Sequence, residues 1–504
     1  MGLFWWLGST ETWVLLLVLL GLVLMLDHRA KSLFRNLGIP GPGYRPFFGT
    51  IFEYMKGFHT FDTKCFQKFG RVWGIFDVWQ PLLCVMDTEI IKTVLIKECH
   101  TLFTNRRDFP LNGELYDAVT VVEDDNWRRI RNILSPSFTS GRLKEMFGIM
   151  KKHSSTLIKH LQKTAEQGGT VDLKGVFGPY SMDVIASTAF SVDIDSLNNP
   201  DDPFVTNAKK LQFNFENPVF IIGALLPFTM PLLEKMNFSF FPDSVTKFFY
   251  AAVQKIKAEQ MINQHKSRVD FLQLMMDSQK SDQSDKGKET HKGLTDHEIL
   301  SQAMIFIFAG YETSSSTLTF FFYNIATNPE AMKKLQQEVD RTFPNWAPVL
   351  YDALVSMDYL DAAMSESMRL YPVVPRLERQ CKKTVEICGV TVTKGTVVMI
   401  PTYVLHRDPE YWPDPETFNP LRFTKGNKEN VDPYVYMPFG SGPRNCIGMR
   451  FAQLAMKLAI VEILQRFNVQ VCDQTQVPLQ LAGALLTTLK PIILKFTPRA
   501  DSSN

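Results

Sequence analysis

Cys446 is the residue whose neighbours best equip it for chemistry. It sits in Phe439-Gly440-Ser441-Gly442-Pro443-Arg444-Asn445-Cys446-Ile447-Gly448, among small residues, behind an arginine and just before a stretch of helical apolar spacing. Gly440, Gly442 and Gly448 read as clearance, because a residue without Cβ lets backbone lie against a planar ring and adopts turn dihedrals that others resist. Phe451, Leu454, Leu458 and Val461 predict a helix of about 18 residues, whose first-turn amides point back at the sulfur and favour its anionic form. A thiolate, not a thiol, ligates a metal. The same loop could instead hold an inert buried cysteine, the usual fate of a free one.

Three other constellations bear on this thiolate. Ala309-Gly310-Tyr311-Glu312-Thr313 lies midway along the longest helix candidate, which opens on a Thr295-Asp296-His297-Glu298 capping box and runs to Asn328 before Pro329. The small pair could let the helix loosen beside a cofactor, with Thr313 as hydrogen-bond donor and Glu312 as proton source. An ordinary buried helix, its glycine easing packing and its threonine bonding its own backbone, is the alternative. Glu366 and Arg369 stand at i, i+3 on one helix face, a pair worth only ~0.3 kcal/mol if exposed. Trp127 and Arg131, at i, i+4, could bring indole N–H and guanidinium to one anion, or form a basic amphipathic helix with a core tryptophan.

The elements that must position these groups are mostly helical. β pattern occurs near residues 72 to 86 and at 384 to 400, where Val385, Ile387, Val390, Val392 and Val397 flank an expected turn at Lys394-Gly395. The fold class expected is mainly α with a small β portion. The chain has 39 phenylalanines, ten of them between Phe204 and Phe249, where four prolines interrupt them and suggest a pliable apolar roof. The polar stretch Asp277 to Lys292 reads as a surface loop within one domain.

Trp13 to Leu26 is an unbroken apolar run that, with Leu3 to Leu7, could span a bilayer of ~30 Å as a helix. Arg29, Lys31 and Arg35 follow it, which favours a retained anchor over a cleaved signal and holds the downstream chain in the cytoplasm. Residues 1–26 are thus expected to be the anchor, 27–46 a basic, Pro/Gly-rich hinge, and 47–504 one large domain. Lys plus Arg number 54 against 52 for Asp plus Glu, and the net charge of +2 gives no reason to expect a nucleic-acid partner. Seven scattered cysteines without C-x-x-C, and nine histidines without ligand spacing, argue against a disulfide framework and a zinc site. No G-x-G-x-x-G or G-x-x-x-x-G-K-[ST] loop offers a site for nicotinamide, flavin or nucleotide phosphate, so any electrons must come from another protein.

The ten-residue form F-x-x-G-x-R-x-C-x-G has every fixed position filled and resembles the cysteine loop of the haem-thiolate cytochromes, the cytochrome P-450 superfamily. A-G-x-[DE]-T, E-x-x-R and W-x-x-x-R match further patterns of that superfamily. Stretches such as FTNRRDF, LSPSFTSGRLKEMF, YSMDVIASTAF, IFIFAGYETSSS and PFGSGPRNCIGMRFA resemble its family three, subfamily A, over about residues 39 to 500. The resemblance implies a single-domain cytochrome P-450 fold behind an N-terminal transmembrane helix, with residues 47–504 as the catalytic haem-binding domain. It implies haem b with Cys446 as axial ligand, O2 as co-substrate, and NADPH electrons delivered by a reductase flavoprotein, with cytochrome b5 as a second partner. Arg106, Trp127, Arg131, Arg379 and Arg444 would contact the haem propionates, and Thr313 with Glu312 would deliver protons. Glu366 and Arg369 would form a buried ion pair with Arg422, structural in role. Phe109, Thr120, Phe213, Phe215, Phe308, Ala309, Val373, Val374, Arg376 and Glu378, with the loop around Leu485, would line the substrate pocket. The substrates implied are bulky and lipophilic, such as steroids, drugs and other xenobiotics, inserted with one oxygen atom at the endoplasmic reticulum membrane. Arg128, Arg129, Lys92 and Lys97 could form a docking face for an acidic redox partner. The rival readings are a haem-thiolate isomerase that needs no outside electrons, against which Glu312-Thr313 argues, and a membrane-anchored haem-binding sensor.

Overall fold

The computed structural model describes residues 10–54, 57–107, 111–210, 223, 226, 229–236, 238–239, 241–262, 270–283, 293–482 and 486–499. Helix α1 (Thr10–Asn36) carries the apolar run and is, among the described residues, the one helix long and apolar enough to cross a membrane. It does not stop at Leu26. The first part of the expected hinge continues the helix to Asn36, because Phe34 gains a buried site against Phe76, ring centroids 5.0 Å apart. Asp27 then ties helix to linker by accepting from the Tyr44 hydroxyl and the Phe47 amide, each at 2.7 Å. The extended part is confined to the proline-rich residues 39–46, where the Pro40 carbonyl accepts from Gly74 at 2.8 Å.

Gly74 belongs to β1 (Val72–Asp77), which pairs antiparallel with β2 (Gln80–Val85). A sheet in the order β1-β2-β4-β3 is completed by β3 (Leu377–Gln380) and β4 (Val397–Ile400), β4 running parallel to β2. The valines from 385 to 392 form a separate hairpin. The turn expected at Lys394-Gly395 is present, with Gly395 at φ of 85°, and connects this hairpin to β4. The hairpin's own turn is Cys388-Gly389, with φ of 49° and 78°.

The helical body holds α2 (Asp124–Leu134), α3 (Ser140–Glu166), α4 (Leu173–Phe190), α5 (Asp296–Thr327), α6 (Asp358–Leu370) and α7 (Met449–Arg466). The capping box starts α5 as expected, the Thr295 hydroxyl accepting from Glu298 N at 3.1 Å and the Glu298 carboxylate from Thr295 N at 2.8 Å. α5 lies against the almost wholly buried α4. Their approach is close where Gly310 faces Ile185: a Cβ on that glycine would stand 3.0 Å from Ile185 Cγ1. Gly310 is therefore a packing residue, not a maker of cavity space. The polar stretch from Asp277 begins as the outer face of a helix, Phe271–Gln283, because Phe271, Leu272, Met275 and Met276 bury its inner face; residues 284–292 lie outside the described residues.

Candidate functional site

The loop before α7 holds Cys446 by main-chain bonds: Cys446 N donates to Phe439 O at 2.9 Å and Asn445 N to Gly442 O at 3.0 Å. Gly440 and Gly442 have φ of 74° and 77°, and a Cβ on Gly442 would meet Leu95 O at 2.1 Å. Gly448 has neither a positive φ nor a close neighbour, so the clearance expected there is not required. From α2, Arg131 donates to both the carbonyl and the side-chain oxygen of Asn445, at 3.0 and 2.9 Å. Cys446 is exposed, and it lines a cavity. Burial raises the Cys446 thiol pKa above its ordinary value, against the opposing pull of the Gly448 N–H, Arg131 and Arg106. The amide effect expected from the sequence is present but outweighed. A thiolate here calls for a cation bonded to the sulfur itself.

The cavity measures about 270 Å³. It is lined by Cys446 and by Arg106, Trp127, Arg131, Arg379 and Arg444, all five expected from the sequence. Arg106 donates to Thr120 O at 3.2 Å, Arg379 to Glu378 O at 2.8 Å, and Arg444 to Val122 O at 2.8 Å with its guanidinium 4.4 Å from the Trp127 ring centre. Among the described residues no carboxylate forms an ion pair with Arg106, Arg379 or Arg444, and Arg444 Nε and Nη1 and Arg379 Nε are buried without a partner. Burial, reinforced by the neighbouring Arg106, pulls Arg379 down to about 10; burial with Arg106 and Arg379 pulls Arg444 to about 9. Such a cluster is an anion site awaiting its anion. A sulfur, unsatisfied guanidiniums and an apolar wall lining one cavity fit a flat, iron-bearing, dicarboxylate ring.

That wall is one face of α5. Ile305, Ala309, Thr313 and Thr317 recur every four residues on it, with Phe306 beside them. Thr313 donates to Ala309 O at 2.7 Å, the backbone bond that the sequence left as an alternative. Glu312, turned roughly 100° around the helix, faces the other side. Its carboxylate lies 2.9 Å from Lys174 Nζ of α4 in a second cavity of about 440 Å³, so it does not share the Thr313 site as expected. Thr120, Val373 and Val374 do line the first cavity. Three other pocket candidates do not: Phe308 packs on Phe241 at 5.8 Å, Arg376 is held by Asp62 at 2.6 and 2.7 Å, and Glu378 accepts from Arg107 at 2.7 Å. Long side chains near a cavity reached carboxylate or guanidinium partners from other elements, which spacing could not reveal. Phe109, Phe213, Phe215 and Leu485 lie outside the described residues. Ile305, Phe306 and Thr317 were missed, although the four-residue spacing of Ile305 from Ala309 and of Thr317 from Thr313, and the three-residue spacing of Phe306 from Ala309, were the available signal.

Glu366 and Arg369 of α6 are fully buried and joined at 2.7 and 2.8 Å. Arg369 also donates to the carbonyls of His406 and Pro415, both at 2.8 Å, and Arg422 Nε stands 3.4 Å from Glu366 Oε1. This ties α6 to the segment that leads into the cysteine loop. Burial, with Arg369 and Arg407 nearby, pushes His406 down to about 3, which leaves its Nε2 free to accept from Met437 N at 3.0 Å. Of the four bases expected on a docking face, Arg129 is engaged inside the chain by Glu298 and Gly293 O, and Lys92 and Lys97 stand near Glu89.

The family model for cytochrome P450 matches residues 39–496. The chain is 61% identical to cytochrome P450 3A27 of Oncorhynchus mykiss over 496 residues, 98% of this chain and 96% of that one. It is 61% identical to cytochrome P450 3A30 of Fundulus heteroclitus over 494 residues, 98% and 99% of the two chains. Over 496 residues, 98% of each chain, it is 52% identical to cytochrome P450 3A7 of Homo sapiens. A likeness of this extent accounts for both the arginine cluster and the bare sulfur: the chain belongs to the cytochrome P450 family and is a haem-thiolate mono-oxygenase, using haem b, O2 and NADPH electrons passed on by a partner reductase.

Proposed function

We propose that this enzyme inserts oxygen into bulky lipophilic substrates, steroids and drug-like xenobiotics among them, at the cytoplasmic face of the endoplasmic reticulum membrane. The observation that carries this reading is the apolar part of the wall of the cavity that Cys446 also lines. It is built from Val119, Ile305, Phe306, Ala309, Val373, Val374 and Leu377, and the polar groups among them are hydroxyls. Such a wall desolvates an apolar molecule without demanding any one hydrogen-bond pattern.

Cys446 is the residue to ligate haem iron, and Arg106, Trp127, Arg131, Arg379 and Arg444 are those to hold its propionates. Bound haem would supply the oxygen activation, which a cysteine thiolate ligand favours. The chain supplies place and protons. Thr313 Oγ1 offers a proton-holding hydroxyl on the wall above the sulfur once it leaves Ala309 O. Glu312 joins that relay only by releasing Lys174, since its carboxylate faces the far side of α5. Ala309, Val373 and Val374 hold the substrate close and exclude water. Glu366, Arg369 and Arg422 keep the loop carrying Cys446 in register.

The 27 residues of α1, with Arg29, Lys31 and Arg35 after its apolar run, support a single-pass anchor with the catalytic domain in the cytoplasm. Exposed Lys97, with half-buried Lys92 and Arg128, suits acidic redox partners, the reductase first and cytochrome b5 second. The test is reconstitution with reductase, NADPH and a panel of steroids and drugs. A reduced-CO Soret band at the thiolate position with hydroxylated products is expected. Cys446→Ala should remove both, and a thiolate band with no product from any panel member would overturn the substrate reading.

A further inference from the structure

His297 stands in the first turn of α5 with a carboxylate against each ring nitrogen. Nδ1 is 2.7 Å from Asp117 Oδ2 and Nε2 is 3.1 Å from Glu114 Oε2, while the Tyr116 ring stacks on the imidazole at 4.3 Å. A neutral imidazole has one N–H and one lone pair, so it satisfies one of these carboxylates and repels the other. Only the imidazolium donates to both. The same face of α5 makes further bonds to the same segment: Ser301 donates to Glu114 O at 2.8 Å, and Gln302 donates to Asp117 O and accepts from Val119 N, both at 2.7 Å. That segment then supplies Val119 and Thr120 to the cavity wall.

We propose that His297 is a positioning residue: as the imidazolium it latches residues 111–122 onto α5, and its deprotonation loosens this part of the cavity wall and weakens substrate binding. The surrounding charges leave the role to His297. On α5, Asp296 is paired with Lys257 and Glu298 with Arg129. From Asp243–Ile262, Lys247 is paired with Asp243 at 2.9 Å and feels Glu114, and Tyr250 faces Tyr116. Glu234 accepts from Leu111 N at 3.4 Å at the start of the segment. When the ring gives its proton to solvent, the Asp117 or the Glu114 contact turns repulsive, and the main-chain bonds from Ser301 and Gln302 remain. The expected consequence is a looser wall, not an unfolded one.

The link to substrate rests on the lipophilic-substrate reading, whereas the latch itself does not. Amide hydrogen exchange of residues 111–122 in the holoenzyme, measured between about pH 5 and 8, where histidines change charge, reads the latch. Protection corrected for intrinsic exchange should fall as pH rises, and should be low and pH-independent in His297→Gln. Exchange unchanged by pH in the parent chain overturns the latch, whatever the variants do. In parallel, the spectral Kd of a neutral steroid should rise roughly threefold to tenfold over the same interval in the parent. It should stay flat in His297→Gln and in Glu114→Gln, each checked for an intact reduced-CO thiolate band. kcat at saturation should move little. pH-dependent exchange with an unchanged Kd overturns the claim on substrate binding, and failure of every lipophilic probe to bind marks instead a failure of the substrate reading.

Discussion

Two groups of buried or half-buried arginines in this molecule are answered differently. Arg369, Arg376 and Arg107 meet carboxylates from the same chain: Glu366, Asp62, and Glu378 with Asp77. Burial alone would lower Arg107, yet Glu378 and Asp77 outweigh it and raise it. Arg106, Arg379 and Arg444 meet carbonyl oxygens and one another, and burial lowers all three. A buried charge is costly unless paired, so a cluster left unneutralised belongs to an anion that the chain does not supply. The first group holds the fold; the second is the one we propose for the haem propionates.

Removing the answer to a paired arginine should give the largest effect. Glu366→Gln leaves Arg369, fully buried, without its carboxylate, and should lower stability by about 3–5 kcal/mol; thermal unfolding and the yield of haem-loaded protein measure it. Acting on the unpaired group should spare the fold and weaken haem retention. Arg444→Gln is expected to speed haem loss about tenfold to a hundredfold, the worth of one charge-assisted bond of about 1.5–3 kcal/mol, with little change in unfolding temperature. The sign of its pH dependence follows from linkage. Propionates favour the charged guanidinium, and without them Arg444 sits at about 9, so the haem-bound state carries the extra proton above that value. Haem affinity should therefore be full below about pH 9 and fall as pH rises beyond it, a slope that Arg444→Gln removes; transfer of haem to an acceptor protein reads both. The smallest effect should come from Arg422→Lys. Its Nε is 3.4 Å from Glu366 Oε1 without hydrogen-bond geometry, so about 1 kcal/mol or less is expected in thermal unfolding. A loss as large as that of Glu366→Gln would erase the distinction between a core pair and its peripheral third member.

Much of the site was legible because its signals are local. The cysteine loop, the capping box of α5 and the 18 residues of α7 depend on contacts within a few positions of one another. Other readings failed where a distant element intervened. Glu312 was read as a partner of Thr313, but Lys174, 138 positions earlier, turns it to the other face of α5. Gly310 was read as loosening the helix, with easier packing as the alternative, and the closeness of Ile185 of α4 makes it the packing residue.

By itself the sequence determined that Cys446 is a candidate thiolate, that Glu366 and Arg369 share a helix face, and that arginines accompany both. Only the tertiary structure decided which of those arginines are answered. An i, i+3 pair has the same geometry at a surface and in a core, but its energy depends on the dielectric around it and on the charges that other elements bring within a few ångströms. Those are properties of packing, and no spacing along the chain encodes them.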